Sequence, residues 1–512
     1  MKEIARFLLK RNDFSKFVHE SEQILKSFLL DYENSQGVKE NLIEDISNFL
    51  KPFIDDFWIF IEFPYIDRLY RSSYYHYFSS KLTNISRDCM RLSFFKPSVT
   101  RDHFENGNLE SIQESFLGYL VLRPLKNRWI GRNLISPSIL KKSNIACCQM
   151  KEEISVNGMK LIATGFPHQS QDGEYCVCAE TSIWSLVEYY SHTFPEYSSA
   201  LLGDISSTSD LLKFDRSVPS SGLSLYEISQ VLKHFGFNTK IHSEIDDIEL
   251  SDKDFLRKLM NIYIQSGIPL LCSIEFEECS LGHAVLAIGH ERSKEIDCFT
   301  DEEDIRDYDL MSENHKIVTM NDNKSPYYVV DFDEPTHDYE EYLRNSSFSG
   351  FIAPLHKKVY MSAIEAQKLS ELLFNNENGD ENVDIYSFLG LEDSYFKKNG
   401  PIFHNLFLTS SKNYKSYIFN SEELSPFLKD SINSLLLPKY IWVIELSNQR
   451  LYKKELINGF ILIDATSYIS SDDLLENMII YFDDSLFFKS NEYNDSKRVF
   501  KGQKPFKRYR AI

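Results

Sequence analysis

Two stretches of this chain combine residue types and spacing that suit thiol chemistry. One is Gln171-Asp-Gly-Glu-Tyr-Cys-Val-Cys178-Ala-Glu-Thr-Ser-Ile-Trp184. The other, further along, is Gly282-His-Ala-Val-Leu-Ala-Ile-Gly289. A thiol attacks as its thiolate, and the unpaired N–H groups and dipole of a helix N-terminus favour that anion. Cys178 stands just before a segment, 179–190, whose Ile183, Leu186, Val187 and Tyr190 recur on one helical face. Small Ala179 would let a substrate carbonyl approach the helix end, where the Cys178 N–H supplies one oxyanion donor. Cys176, two residues earlier, is the rival nucleophile, because helix boundaries read from sequence err by a few residues.

His283 follows a glycine and opens an apolar strand, so it can face a cleft while its strand is buried. It is the candidate general base for Cys178 and then the acid for a leaving group. An imidazole in that role needs an orienting partner. Met320-Asn321-Asp322-Asn-Lys-Ser-Pro-Tyr327 closes a later strand and offers two, with Asp322 preferred and Asn321 the alternative. Asp331 and Asp333 are more distant candidates. Cysteine and histidine are each more often structural when they occur alone. Their order on a helix start, a strand start and a strand end turns the reading toward catalysis.

The elements that must hold these residues can be outlined. Phe14, Phe17, Ile24, Leu25, Phe28 and Leu29 recur at helical spacing, and residues 1 to about 110 are expected to be mostly helical. Phe116 to Pro124 reads as a strand stopped by proline, and Trp129 to Arg132 as a second. Gly222 to Gly236 reads as a capped helix with a glycine stop. Strands are expected at Gly267 to Glu275, His283 to Gly289 and Lys316 to Met320, with a solvated acidic loop over 301–309. Tyr440 to Leu446 and Gly459 to Asp464 are expected to pair. The expected division is 1–155, a mostly helical region with short strands; 156–345, the region with the site; and 346–512, a C-terminal α/β region. The fold class is α+β.

Composition limits the partners. The 42% hydrophobic and 26% charged residues describe a globular protein, and 38 Phe with 29 Tyr can fill large cores. Fifty-six basic against 76 acidic residues, a formal charge of -20, opposes general binding to nucleic acid or anionic membrane. The basic tail 497–510 reads as a solvated end. The first residues carry no signal-like apolar core and no run approaches a membrane span, so a cytoplasmic protein is expected. The eight cysteines are irregularly spaced, which argues against a disulfide framework. Cys147-Cys148 and Cys176-x-Cys178 lack the second half of a zinc site, and no glycine-rich nucleotide loop is present. No metal and no cofactor are expected.

Gln-x(n)-Cys178-Ala-x-Thr-Ser-Ile-Trp, Gly282-His-Ala-Val-x-x-x-Gly289 and the strand-ending Asp322 resemble the C39-like branch of the papain-like cysteine peptidases. The resemblance spans residues 160–340 at most. That family shows Cys-Gly-Pro, where this chain has Cys178-Ala179-Glu180, and Asp-Pro, where this chain has Asp322-Asn323. These departures bear on subsite shape more than on chemistry. The flanks, with Gly118 to Pro124, Pro354-Leu-His-Lys and Trp442-Val-x-Glu445, look similar to bacterial multi-domain proteins that carry such a core. The resemblance implies a papain-like core and a side-chain amide upstream of the cysteine as second oxyanion donor: Gln171, with Gln169 in reserve.

The expected function is a cysteine peptidase or amide hydrolase acting on a protein or peptide through Cys178, His283, Asp322 and Gln171. By analogy it would be a regulated stress or phage-defence effector with a regulatory protein partner. One alternative is an acyltransferase or glutamine-amide enzyme with the same triad. Another is a non-catalytic protein-binding module on a degenerate papain-like fold.

Overall fold

A computed structural model describes residues 4–30, 36–142, 144–212, 223–243, 252–278, 282–292, 306–313, 315–374, 385–467, 478–490 and 493–512. Helix and strand are mixed throughout, as an α+β chain requires. Contacts divide it into two units. One is built from Met1–Ile241, Pro269–Arg292 and Lys316–Ile352, and the other from His242–Ile268, Ser293–His315 and Ala353–Ile512. Both are discontinuous in sequence, so the linear division at 155 and 345 is not the division by packing. Gly222, Cys279, Cys298 and residues 301–305 of the expected acidic loop lie outside the described residues.

The first unit opens with a seven-stranded antiparallel sheet. Its order is Ala5–Lys10, Trp58–Tyr65, Cys89–Phe95, Phe116–Leu122, Ile130–Ile135, Met159–Gln169 and Met150–Val156. Before residue 110 helix exceeds strand, as expected, and the strands Ala5–Lys10, Trp58–Tyr65 and Cys89–Phe95 join this sheet, which the sequence pattern does not announce. The helical spacing is real: Phe14–Glu20 and Glu22–Phe28 bury Phe14, Phe17, Leu25 and Phe28. The short apolar runs downstream, however, are strands. Every residue of Cys89–Phe95 is buried, which erases the alternation that would have marked it as one.

A second sheet of the first unit carries the site. Its order is Tyr328–Val330, Ile317–Met320, Gly282–Glu291, Leu270–Phe276, Ser346–Leu355 and Asn238–Ser243, with Ile145–Cys147 also paired to Gly282–Glu291. That last pairing explains Gly289. A Cβ there would lie 2.1 Å from the Ala146 carbonyl oxygen, so only glycine admits the extra strand. Helix Cys178–Thr193 contacts Gly282–Glu291, and Ser182 Oγ donates to Ala284 O at 3.4 Å. The helix is buried from Ala179 to Tyr190, which accounts for its sustained apolar face. Helix Leu225–His234 starts at Ser224, whose hydroxyl and the Glu227 carboxylate form a reciprocal cap.

The second unit holds another seven-stranded sheet, in the order Asp307–Asp309, Ile402–Ser410, Tyr440–Asn448, Gly459–Asp464, Met478–Phe482, Ser485–Ser490 and Tyr493–Val499. Tyr440–Asn448 and Gly459–Asp464 are antiparallel neighbours. Helices Ser411–Asn420 and Pro426–Ser434 contribute Tyr414, Ile418, Leu428 and Ile432 to its core. Asp307–Asp309, expected within a solvated loop, is instead a parallel edge strand on Ile402–Ser410. No described helix is long and apolar enough to cross a membrane.

Candidate active site

Cys178 is the first residue of its helix, after Val177 as N-cap. Its N–H is among those with no acceptor inside the helix. The Thr181 hydroxyl donates to the Cys178 carbonyl at 2.8 Å and closes the first turn. Cys178 is intermediate in exposure, whereas Cys176 is sealed at 1%. Cys176 belongs to a turn organised by Asp172, whose carboxylate accepts the N–H groups of Glu174, Tyr175 and Cys176 at 3.0, 2.8 and 2.9 Å. Burial pushes the Cys176 thiol well above its usual range. The turn therefore presents Cys178 and hides Cys176.

His283 lies at the start of Gly282–Glu291, one residue before Ala284. The Ala284 N–H is directed at the Cys178 sulfur, so the thiol lies against the start of the strand that carries His283. Asn321 and Asp322 follow directly on Ile317–Met320. Both reach the same ring nitrogen: His283 Nε2 is 3.1 Å from Asn321 Oδ1 and 3.6 Å from Asp322 Oδ1. Asn321, the alternative orienter, is within hydrogen-bond range; Asp322, the preferred one, is at ion-pair distance.

The Asn321 amide fixes the histidine tautomer. The Asn323 N–H donates to Asn321 Oδ1 at 3.0 Å, and Asn321 Nδ2 donates to the Tyr339 hydroxyl at 2.7 Å. A backbone N–H can only donate, so the atom facing it is the amide oxygen. That same oxygen faces His283 Nε2, which must carry the proton. In the neutral ring Nδ1 is then the basic nitrogen.

A buried histidine outside the expected set holds Asn321 in place. His168, 2% exposed at the end of Met159–Gln169, donates from Nε2 to Asn321 O at 3.0 Å and accepts at Nδ1 from Asn133 Nδ2 at 2.9 Å. Burial pulls its pKa down to about 4, so it is neutral at pH 7. Tyr327 anchors the far end of the same loop. Its hydroxyl donates to Ile135 O at 2.6 Å and accepts from the Phe166 N–H at 2.9 Å. Neither residue carries a sequence signature: His168 lies on an element remote from Asn321, and the groups that Tyr327 bonds, Ile135 and Phe166, are remote from Tyr327.

Electrostatics correct the expectation of an acidified thiol. Burial and then the Asp322 charge push Cys178 up to about 12, against the Ala284 and Ala179 N–H groups, which favour the anion. Burial also raises Asp322 to about 6, opposed first by His283. The helix N-terminus is thus one contribution among several, and it is outweighed.

Gln171 is not aimed at the sulfur. Its side-chain amide donates to Asn323 Oδ1 at 2.6 Å, and its carbonyl accepts from Arg123 Nη2 at 3.0 Å. Gln169 is buried. Asp331 lies 3.5 Å from Lys316, and Asp333 is exposed. Among the described residues, Glu152, Glu188 and His192 bring potential metal-ligand atoms within 4.8 Å of one another. Arg68 already pairs with Glu188, and Arg132 with Glu152 at 3.3 Å, so both carboxylates are neutralised within a charge network. Compared with known protein families, characterised proteins and solved structures, the chain matches none.

Proposed function

We propose that the first unit is a cysteine hydrolase of papain-like character, acting on a peptide or amide bond. One observation carries the reading. Asn321 Oδ1, with its identity set by the Asn323 N–H, holds a proton on His283 Nε2 and leaves Nδ1 basic, next in sequence to Ala284, whose N–H faces the Cys178 sulfur at a helix start.

The raised thiol pKa makes Cys178 rest as a neutral thiol. Its proton passes to His283 Nδ1 as the sulfur–carbon bond forms, so the base acts during attack. The Cys178 N–H receives the developing oxyanion. The tetrahedral adduct then collapses. The carbon–nitrogen bond breaks, the leaving amine takes the proton from Nδ1, and a thioester remains. Water, deprotonated by the same nitrogen, releases the acid and restores the thiol. Asn321 keeps the ring in register throughout, and Asp322 stabilises the transient imidazolium at ion-pair distance. For Gln171 to serve as second oxyanion donor, its bond to Asn323 must open.

The test is limiting alkylation of native protein with iodoacetamide, followed by peptide mapping. The reading expects Cys178 to be labelled ahead of the other cysteines, and this preference to be lost in His283→Ala. Labelling of Cys178 at the same rate in that variant would sink the proposal.

A further inference from the structure

A cleft of about 420 Å³ lies beside the Asn321–Asp322 loop, wholly within the first unit, with Arg123, Arg128, Trp129, Gln171, Asp322 and Lys324 among its walls. That volume suits a ligand group of amino-acid to dipeptide size. The protein as a whole is strongly acidic, at -20, yet this cleft gathers Arg123, Arg128 and Lys324, the last already paired with Asp338 at 3.0 Å, against Asp45 and Asp322.

Arg123 is the informative residue. It is 2% exposed, its Nη2 donates to Gln171 O at 3.0 Å, and its buried Nε has no hydrogen-bond partner. Among the described residues no carboxylate lies within ion-pair distance of it. A buried guanidinium so incompletely paired costs free energy that an arriving anion would offset. Its position is built into the fold. A Cβ at Gly131 would stand 2.7 Å from Val121 O and 3.0 Å from Arg123 Cγ, so a glycine there makes room for the arginine stem.

Arg128 is exposed, on the loop between the strands Phe116–Leu122 and Ile130–Ile135, after Asn127 in the left-handed region at φ 61°. Its guanidinium lies over Gly173, where a Cβ would be 3.4 Å from Nη2. It too has no carboxylate within ion-pair distance among the described residues. The two arginines thus grip one turn, Gln171 to Gly173, and both border one cleft. Guanidinium forks match the geometry of planar or tetrahedral oxyanions.

We propose that this cleft binds a compact oxyanion, a carboxylate or phosphate group, held by Arg123 and Arg128 and flanked by Lys324. The turn they grip leads directly into Cys178, so the bound anion steadies the approach to the helix start. The site is independent of whether Cys178 is a nucleophile.

The test uses the intact protein labelled with 5-fluorotryptophan. Of its four tryptophans, Trp129 lines the cleft, and its ¹⁹F resonance is assigned by Trp129→Phe. Sodium glutarate, inorganic phosphate and neutral glutaramide are titrated at constant ionic strength. A saturable shift of the Trp129 resonance with glutarate, phosphate or both is expected, and none with glutaramide. Phosphate alone would mark a phosphoryl ligand, and glutarate alone a carboxylate. Arg128→Gln, a substitution at an exposed residue whose folding is checked by circular dichroism, should weaken the anion about tenfold, the loss of one charge-assisted contact. No saturable shift with either anion, an equal shift with glutaramide, or unchanged affinity in Arg128→Gln would overturn the proposal.

Discussion

Asn321 Oδ1 sits 3.1 Å from His283 Nε2 while accepting the Asn323 N–H at 3.0 Å. The second bond removes the usual ambiguity of an amide, and with it the ambiguity of the imidazole. Asn321→Ala leaves the Nε2 proton without this acceptor and frees the ring to rotate. A hydrogen bond that becomes charged when the ring is protonated is worth about 1.5–3 kcal/mol. The second-order rate constant for alkylation of Cys178 at pH 7.5 should therefore fall about 10- to 100-fold. An unchanged rate would mean that Asn321 does not orient the base.

Asp322 acts on the thiol with the opposite sign. Its charge is the second cause, after burial, of the raised Cys178 pKa. Asp322→Asn removes that charge, lowers the thiol pKa and increases the thiolate fraction at any pH below it. The alkylation profile should move to lower pH. If Asp322 served instead mainly to keep His283 charged, the same substitution would slow alkylation, so the direction of the change separates the two roles. Stability shifts as well. Between the ordinary value of 3.8 and about 6 the folded protein binds more protons here than the unfolded chain, so stability falls as pH rises through that window. At pH 7.5 the variant should be more stable by on the order of 1–3 kcal/mol in urea unfolding.

The thiol, the imidazole and the Asn-Asp pair were legible because each stands at the end of an element with a clear pattern: a helix start, a strand after glycine, a strand end. Gly289 was legible as part of the motif, and its reason, a backbone approach from Ala146, lies in a strand distant in sequence. His168 and Tyr327 were not legible, since a lone histidine in an apolar strand and a tyrosine after Pro326 look like ordinary packing. The N-terminal sheet was hidden because Cys89–Phe95 is buried on both faces and shows no alternation. The thiol pKa was misjudged for a related reason. Helix position can be read locally, whereas burial and the approach of Asp322 arise only when distant segments meet.

His168 supplies a pH signature. Its folded pKa of about 4 lies below the ordinary value of 6.5. Between these values the unfolded chain binds the proton and the folded protein does not. Stability is therefore lost as pH falls from 6.5 toward 4, on the order of 3 kcal/mol over the whole window. Asp322 works in the opposite direction over an overlapping range, so the signature must be read by difference. His168→Gln should be less stable at pH 7.5, through its buried bonds to Asn321 and Asn133, and its stability should depend less on acidification than that of the parent. Parallel stability–pH curves for the two proteins would refute a neutral buried His168.

Tyr327 ties the loop that carries Asn321 and Asp322 to the first sheet. It adopts φ 63°, an unusual backbone for a large side chain, and its hydroxyl bridges Ile135 O and the Phe166 N–H. Gly165, beside it, leaves the space: a Cβ there would lie 2.9 Å from that hydroxyl. Tyr327→Phe keeps the ring and deletes the bridge, leaving a buried N–H and a carbonyl to find other partners. Each such group costs about 1–3 kcal/mol. The midpoint of urea unfolding should drop accordingly. Because the loop then loses one of its anchors, Cys178 alkylation should slow as well, though less than in Asn321→Ala, whose side chain touches the base directly. A stability loss without any change in alkylation would show that the loop keeps its register without the tyrosine, through its bonds to His168 and Tyr339.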